Sequence, residues 1–164
     1  MLLFRLFGMQ IGHKNRFELG RVRRCRNVRI GDWNAFSVGY FIWPVDADGI
    51  DVRIVIGDRN YFNRNLMIDA CNKISIGDYN MFGPDVYVTD SNHTYGTGIS
   101  PSKEPMQKGT VSIGSHCWVG AKATILKDVT LGDYCVVAAG AVVTKSFPSG
   151  SLVGGIPARL IKKI

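Results

Sequence analysis

A six-residue rhythm of large apolar residues constrains this chain more than any other feature. Ile113, Val119, Ile125, Leu131, Val137 and Val143 follow one another every six positions without a break. Two earlier runs keep the same step: Ile56, Phe62, Ile68, and Ile76, Phe82, Val88. A helix places apolar residues three and four apart and a half-buried strand two apart, so neither template accounts for it. Six fits a strand of two or three residues followed by a corner, with one large side chain turned inward per flat side. Three sides close a triangular coil of about eighteen residues, and successive coils stack as parallel strands about 4.8 Å apart.

A recurring heptapeptide sets the coil register. It reads IGHKNRF from Ile11, IGDWNAF from Ile30, IGDRNYF from Ile56 and IGDYNMF from Ile76, with IGSHCWV from Ile113 and LGDYCVV from Leu131 as relatives. The Gly after each aliphatic residue, in a chain holding 19 glycines, is expected to meet an unusual φ at the corner. The fourth position after each aliphatic is Asn in the early copies (Asn15, Asn34, Asn60, Asn80) and small in the last run (Cys117, Ala123, Val129, Cys135, Ala141). Stacked coils turn these into ladders of like residues. Cys117 and Cys135, one coil apart, read as buried packing residues, because no C-x-x-C pair or zinc-ligand spacing occurs.

Departures from the repeat mark candidate sites, since loops on a rigid scaffold carry function. The coil anchors at residues 11, 30, 56, 76, 113 and 131 leave two coils longer than the rest. One holds an insertion from about Trp43-Pro44 to Asp51. The other holds a loop at about 90–111 that opens on His93. The chain has three histidines, and the register puts His13 and His116 at equivalent outward corner positions. His93 is therefore the candidate base near neutral pH. Asp90, three residues earlier, is either an orienting partner for it or a turn former.

Handedness does not follow from the period, and parallel crossovers are right-handed in about 98% of cases. A resemblance bears on it. Asp90-Ser91-Asn92-His93, Cys117-Trp118-Val119-Gly120, AAGAVVTKSFP from Ala138 and GGIPARLIKKI from Gly154 together resemble the hexapeptide-repeat acyltransferases of the galactoside, maltose and polysaccharide type. That resemblance covers nearly the whole chain. It implies an all-β, left-handed parallel β-helix over residues 1–164 as a single domain, with a C-terminal cap at about 148–164.

The same resemblance implies an O-acetyltransferase that moves acetyl from acetyl-CoA to a sugar or polysaccharide hydroxyl, with His93 as base. It implies pantetheine contacts near Ala121 and Ala139 beside Trp118, a residue that reads equally as a core or interface aromatic. It places Thr144, Lys145, Arg159 and Lys162 near the CoA phosphates, where cationic groups suit the chemistry. Phe62-Asn63-Arg64-Asn65 resembles the segment supplying an acceptor-binding Asn, here Asn63. The family's next acidic residue is unmatched: Cys71 stands at that spacing and Asp69 is the nearest carboxylate. A site between subunits implies a homotrimer. The acceptor class leans to exopolysaccharide, capsule or lipopolysaccharide sugars, because the maltose-type helical extension is not matched.

Charge and composition bound the remaining readings. Hydrophobic content of 46% excludes a disordered chain. The apolar stretch from Met1 to Met9 is too short to span a bilayer and lacks the layout of a secretory signal, so a cytoplasmic location is expected. The net charge of +7 suits an anionic partner, coenzyme A or an acidic glycan among them. Arg21, Arg23, Arg24, Arg26 and Arg29 form a cluster that reads first as a solvated coil face, then as a surface for an anionic acceptor or membrane. A nucleic-acid surface lacks any accompanying motif. No metal is expected: the His spacings of 80 and 23 do not match the H-x-x-x-x-H pair of a zinc β-helix enzyme. The alternatives are a non-catalytic β-helix scaffold and a transferase for serine or an antibiotic.

Overall fold

A computed structural model describes residues 2–45, 51–96 and 98–164. The expected insertion after Pro44 falls largely on residues 46–50, outside the described residues. Six coils stack along one axis, and their short strands form three parallel sheets. The first contains Gln10–Ile11, Val28–Ile30, Ile54–Ile56, Lys73–Ile76, Thr110–Ile113 and Val129–Leu131. The second contains Arg16–Phe17, Ala35–Phe36, Tyr61–Phe62, Met81–Phe82, Trp118–Val119 and Val136–Val137. The third contains Arg21–Val22, Phe41–Pro44, Met67–Ala70, Tyr87–Thr89, Thr124–Ile125 and Val142–Val143. The helix is left-handed.

The register is the one the anchors require, with Ile11, Ile30, Ile56, Ile76, Ile113 and Leu131 stacked in turn. Every member of the unbroken six-residue run is buried. Because in-register parallel strands lie about 4.7–4.9 Å apart, identical inward rings must stack at that spacing. Phe17, Phe36, Phe62 and Phe82 do so, with centroids 4.6, 4.5 and 4.8 Å apart. Each such pair adds about 0.5–1.5 kcal/mol beyond its buried area.

The corner glycines work differently from the sequence expectation. Gly12, Gly31, Gly57, Gly77, Gly114 and Gly132 do not adopt positive φ; the residues two later do, namely Lys14, Trp33, Arg59, Tyr79, His116 and Tyr134, at φ of 55–61°. Space is what demands glycine. A Cβ on Gly57 would fall on the Asp78 carboxylate and within 2.9 Å of the Gly77 carbonyl oxygen. The Asp explains itself in turn: Asp58 and Asp78 accept from the main-chain N–H of Asp32 and Asp58, both at 2.7 Å.

The Asn ladder also closes between coils. The Asn34, Asn60, Asn80 and Cys117 amides donate to the side-chain oxygens of Asn15, Asn34, Asn60 and Asn80 at 2.7–2.9 Å. Asn15, Asn34 and Asn60 return Nδ2 bonds to the carbonyls of Gly31, Gly57 and Gly77. Cys117 and Cys135 continue the column as buried free thiols, their Sγ atoms 3.2 and 3.3 Å from the Gly132 and Pro148 carbonyls.

Both ends differ from a bare stack. Helix Leu2–Leu6, not anticipated from the sequence, packs Phe4 against Phe17 at 5.2 Å on the first coil. At the other end, strand Ser151–Gly155 extends the second sheet in parallel and strand Ala158–Lys163 pairs antiparallel outside it. The tail therefore covers the second sheet, while the first receives only the Leu131–Phe147 bridge.

Candidate active site

The two ends of the 90–111 loop pair as a short antiparallel ladder. Strand Ser91–His93 pairs antiparallel with Met106–Lys108, and His93 faces Met106. The Thr94 hydroxyl donates to the Pro105 carbonyl at 2.8 Å, and the Gly109 amide closes the base on the Asp90 carbonyl at 2.7 Å. Asn72 ties the same base to the preceding coil through the Gly109 carbonyl, 2.9 Å away. The hairpin holds the exposed His93 over the outward face of the third sheet.

Asp90 does not orient His93. It is fully buried, and its two carboxylate oxygens accept from the Cys71 and Asn72 amides at 2.7 and 2.9 Å. Burial raises its pKa, and those amide bonds offset part of the rise. Its carboxylate instead ties this coil to the corner of the preceding one, a role that neither sequence reading named.

His93 shares a cavity of about 590 Å³ with Asp69, Tyr87, Trp43, Cys71 and Met106. Asp69 lies between Trp43 and Thr89 in the third-sheet register. The Tyr87 hydroxyl donates to Asp69 Oδ2 at 3.0 Å, whereas Oδ1 is buried without a hydrogen-bond partner. Burial raises the Asp69 pKa; the Tyr87 bond opposes this and the Asp90 charge adds to it. The Tyr87 phenol is pushed up to about 12, first by burial and further by the Asp69 charge. A buried acceptor with no partner is costly, so Oδ1 suits a hydroxyl or ammonium donor entering beside His93.

A second cavity of about 570 Å³ runs along the second sheet. Its floor is one outward column, Tyr61, Met81, Trp118, Val136 and Leu152, stacked in register and ending opposite Lys162. The facing wall is a corner of small residues, including Gly83, Gly120, Ala121, Ala138 and Ala139. These coils touch closely: a Cβ on Gly120 would come within 2.9 Å of Ala138 and Ala139 main-chain atoms. The groove spans five stacked rows and is mostly apolar.

The expected site residues thus divide. Trp118, Ala121, Ala139 and Asn63 line the groove; His93 and Asp69 line the hairpin cavity. Asn63 and Asp69, paired by the sequence reading as acceptor contacts, lie in different cavities of one chain. Thr144 and Lys145 are exposed beyond Val142–Val143, and Lys145 Nζ lies 5.7 Å from the Phe147 ring centre. Arg159 is exposed on the last strand, its guanidinium 3.1 Å from its own segment's Ala158 carbonyl. Sequence reasoning missed Trp43, Tyr87, Tyr61 and Met81; stacking the coils by their anchors would have put Tyr61 and Met81 in the Trp118 column. His13 and His116 are both exposed at corners as expected, but their positions are not equivalent: His116 sits at the positive-φ corner between the Tyr79 and Tyr134 rings, one repeat position after the place His13 holds. No cluster of three His, Cys, Asp or Glu able to hold a metal occurs among the described residues.

Comparison with known proteins bears on this arrangement. The family description "bacterial transferase hexapeptide (six repeats)" matches residues 110–145. The chain is 30% identical over 150 residues to a putative lipopolysaccharide biosynthesis O-acetyl transferase of Escherichia coli (strain K12), covering 87% of this chain and 74% of that protein. It is 33% identical over 111 residues to the galactoside O-acetyltransferase of the same organism, covering 68% of this chain but 54% of that one. A hexapeptide-repeat acetyltransferase from Vibrio cholerae, solved with acetyl coenzyme A, superimposes with a TM-score of 0.69 at 25% identity, covering 99% of this chain and 74% of that one.

Proposed function

This chain belongs to the hexapeptide-repeat acetyltransferase family, and from that premise we propose that it moves acetyl from acetyl-CoA to a hydroxyl of a sugar or polysaccharide precursor, with His93 as general base. The observation that carries the reading is the hairpin cavity, where an exposed imidazole stands beside a buried carboxylate oxygen that lacks a donor. A sugar hydroxyl is a poor nucleophile towards a thioester until its proton is removed. His93 takes that proton as the oxygen attacks the acetyl carbon. The tetrahedral oxyanion then collapses, the carbon–sulfur bond breaks, and the imidazolium returns the proton to the departing thiolate. Asp69 Oδ1 accepts a second donor of the acceptor and orients it.

Pantetheine lies along the Trp118 groove, whose apolar floor of stacked rows suits an extended chain. Lys162 at the end of the floor column, with Arg159 on the same strand and the exposed Thr144 and Lys145, supplies the charged end for the CoA phosphates. Groove and base stand in different cavities of one chain, so the working unit is a homotrimer in which one subunit's groove meets its neighbour's hairpin. The four buried free thiols fit a reducing cytoplasm.

Thiol release from acetyl-CoA with a panel of sugars and glycans tests the proposal. His93→Ala should lower kcat by roughly 10²–10⁴, the range for loss of a general base, while CoA binding by calorimetry stays unchanged. Full turnover in His93→Ala removes the base assignment. Absence of any CoA binding to the native protein leaves a scaffold in place of an enzyme.

A further inference from the structure

The first thirty positions hold eight of the twenty basic residues and one of the thirteen acidic ones, a net charge of +7; residues 31–144 are net acidic, and the last twenty, 145–164, add four cations and no acid. Those thirty residues form the end helix and the first coil, extending into the first strand of the second. Glu18, the single acid, turns its carboxylate to the Val38 amide at 3.0 Å. Arg16, Arg21 and Arg26 are exposed on that coil.

The same end carries apolar side chains in solvent. Leu6 is 73% exposed, Phe7 60% and Leu3 62% on and just after the helix, and Leu19 is 82% exposed at a coil corner. Phe4 faces the other way, against Phe17. Exposed apolar tips on the same end as exposed arginines are complementary to an anionic bilayer, in which tips enter the headgroup boundary and cations meet lipid phosphates. Nucleic acid would use the arginines but has no use for Leu3, Leu6, Phe7 and Leu19. No described helix is long and apolar enough to cross a membrane, so the contact is peripheral.

We propose that this end of the solenoid docks on an anionic lipid surface, with the coil axis directed away from it. The coil carrying the His93 hairpin then stands three inter-coil steps, ~14 Å, above the terminal coil. Docking does not depend on the acetyl-transfer reading, and either can fail alone.

Flotation of the full chain with vesicles of phosphatidylcholine, alone or mixed equally with phosphatidylglycerol, tests it. Binding is expected only to the mixed vesicles and should fall steeply with added salt. Arg16→Gln/Arg21→Gln/Arg26→Gln should weaken vesicle affinity ~100-fold, since each cation near such a surface contributes about fivefold. Leu6→Ser/Phe7→Ser/Leu19→Ser should weaken it at least ~10-fold. All six positions are exposed, and an unchanged melting curve confirms that both variants fold. No binding to mixed vesicles overturns the proposal. So does binding that survives the serine substitutions and is matched by duplex DNA, which would mark a general polyanion surface.

Discussion

Asp69 concentrates the chemistry of the hairpin cavity into one side chain. Its raised pKa means the folded protein holds this proton more tightly than the unfolded chain does. The stability linked to it is full below the ordinary carboxylate range and is lost as pH rises through the raised folded value. Asp69→Asn removes that loss. Melting midpoints of the variant and the native protein should therefore coincide in acid and diverge towards neutral pH, the variant melting higher. Asp90 titrates in the same sense and leaves a residual slope in both. If Asp69 also holds the acceptor, Asp69→Asn raises the acceptor KM about tenfold or more, the worth of a hydrogen bond to a charged group, and leaves the acetyl-CoA KM alone. Parallel movement of both constants would mean that the residue shapes the cavity without touching the acceptor.

At the scale of the repeating element, the corner separates two requirements that the sequence ran together. The conserved feature of the heptapeptide is Gly, so a reader assigns it the unusual φ. The structure gives positive φ to Lys14, Trp33, Arg59, Tyr79, His116 and Tyr134 instead. It offsets that strain by stacking them: Lys14 Nζ lies 4.2 Å from the Trp33 ring centre, Arg59 between Trp33 and Tyr79, and His116 between two tyrosines. Side-chain stacking across coils is invisible to a period count, which is why the strand register was legible and this ridge was not. The hairpin was illegible for a similar reason, because its Ser91–His93 strand is too short and polar to carry a pattern. Gly57→Ala and Gly140→Ala distinguish the two requirements. The first drives a Cβ into the Asp78 carboxylate and the Gly77 carbonyl, and should cost about 2–3 kcal/mol, the upper part of the overpacking range. The second, at φ 69° with nothing within 4 Å, carries only backbone strain of about 1 kcal/mol. Urea unfolding of both variants measures the difference, and equal losses would return the corner to a φ argument.

Across the whole molecule, the solenoid separates the two cavities that the proposed reaction would use together. His93 stands over the third sheet and Trp118 lies on the second, in cavities that share no lining residue. In-register ladders hold these faces apart within one chain, and the proposed homotrimer would bring one subunit's groove to its neighbour's hairpin by symmetry. The proposal has a quantitative consequence in mixed assemblies. His93→Ala lacks the base but keeps its groove, and Ala139→Phe keeps the base but fills the groove. Each should be inactive alone. When the two are denatured together in equal amounts and refolded, an interface works only if its hairpin comes from the Ala139→Phe chain and its groove from the His93→Ala chain. Random assembly of a closed ring makes that about one interface in four, so turnover should recover to about a quarter of the native value per subunit. Mixing without refolding controls for exchange. A site built within one chain would stay silent in both experiments, because neither variant then contains a complete copy.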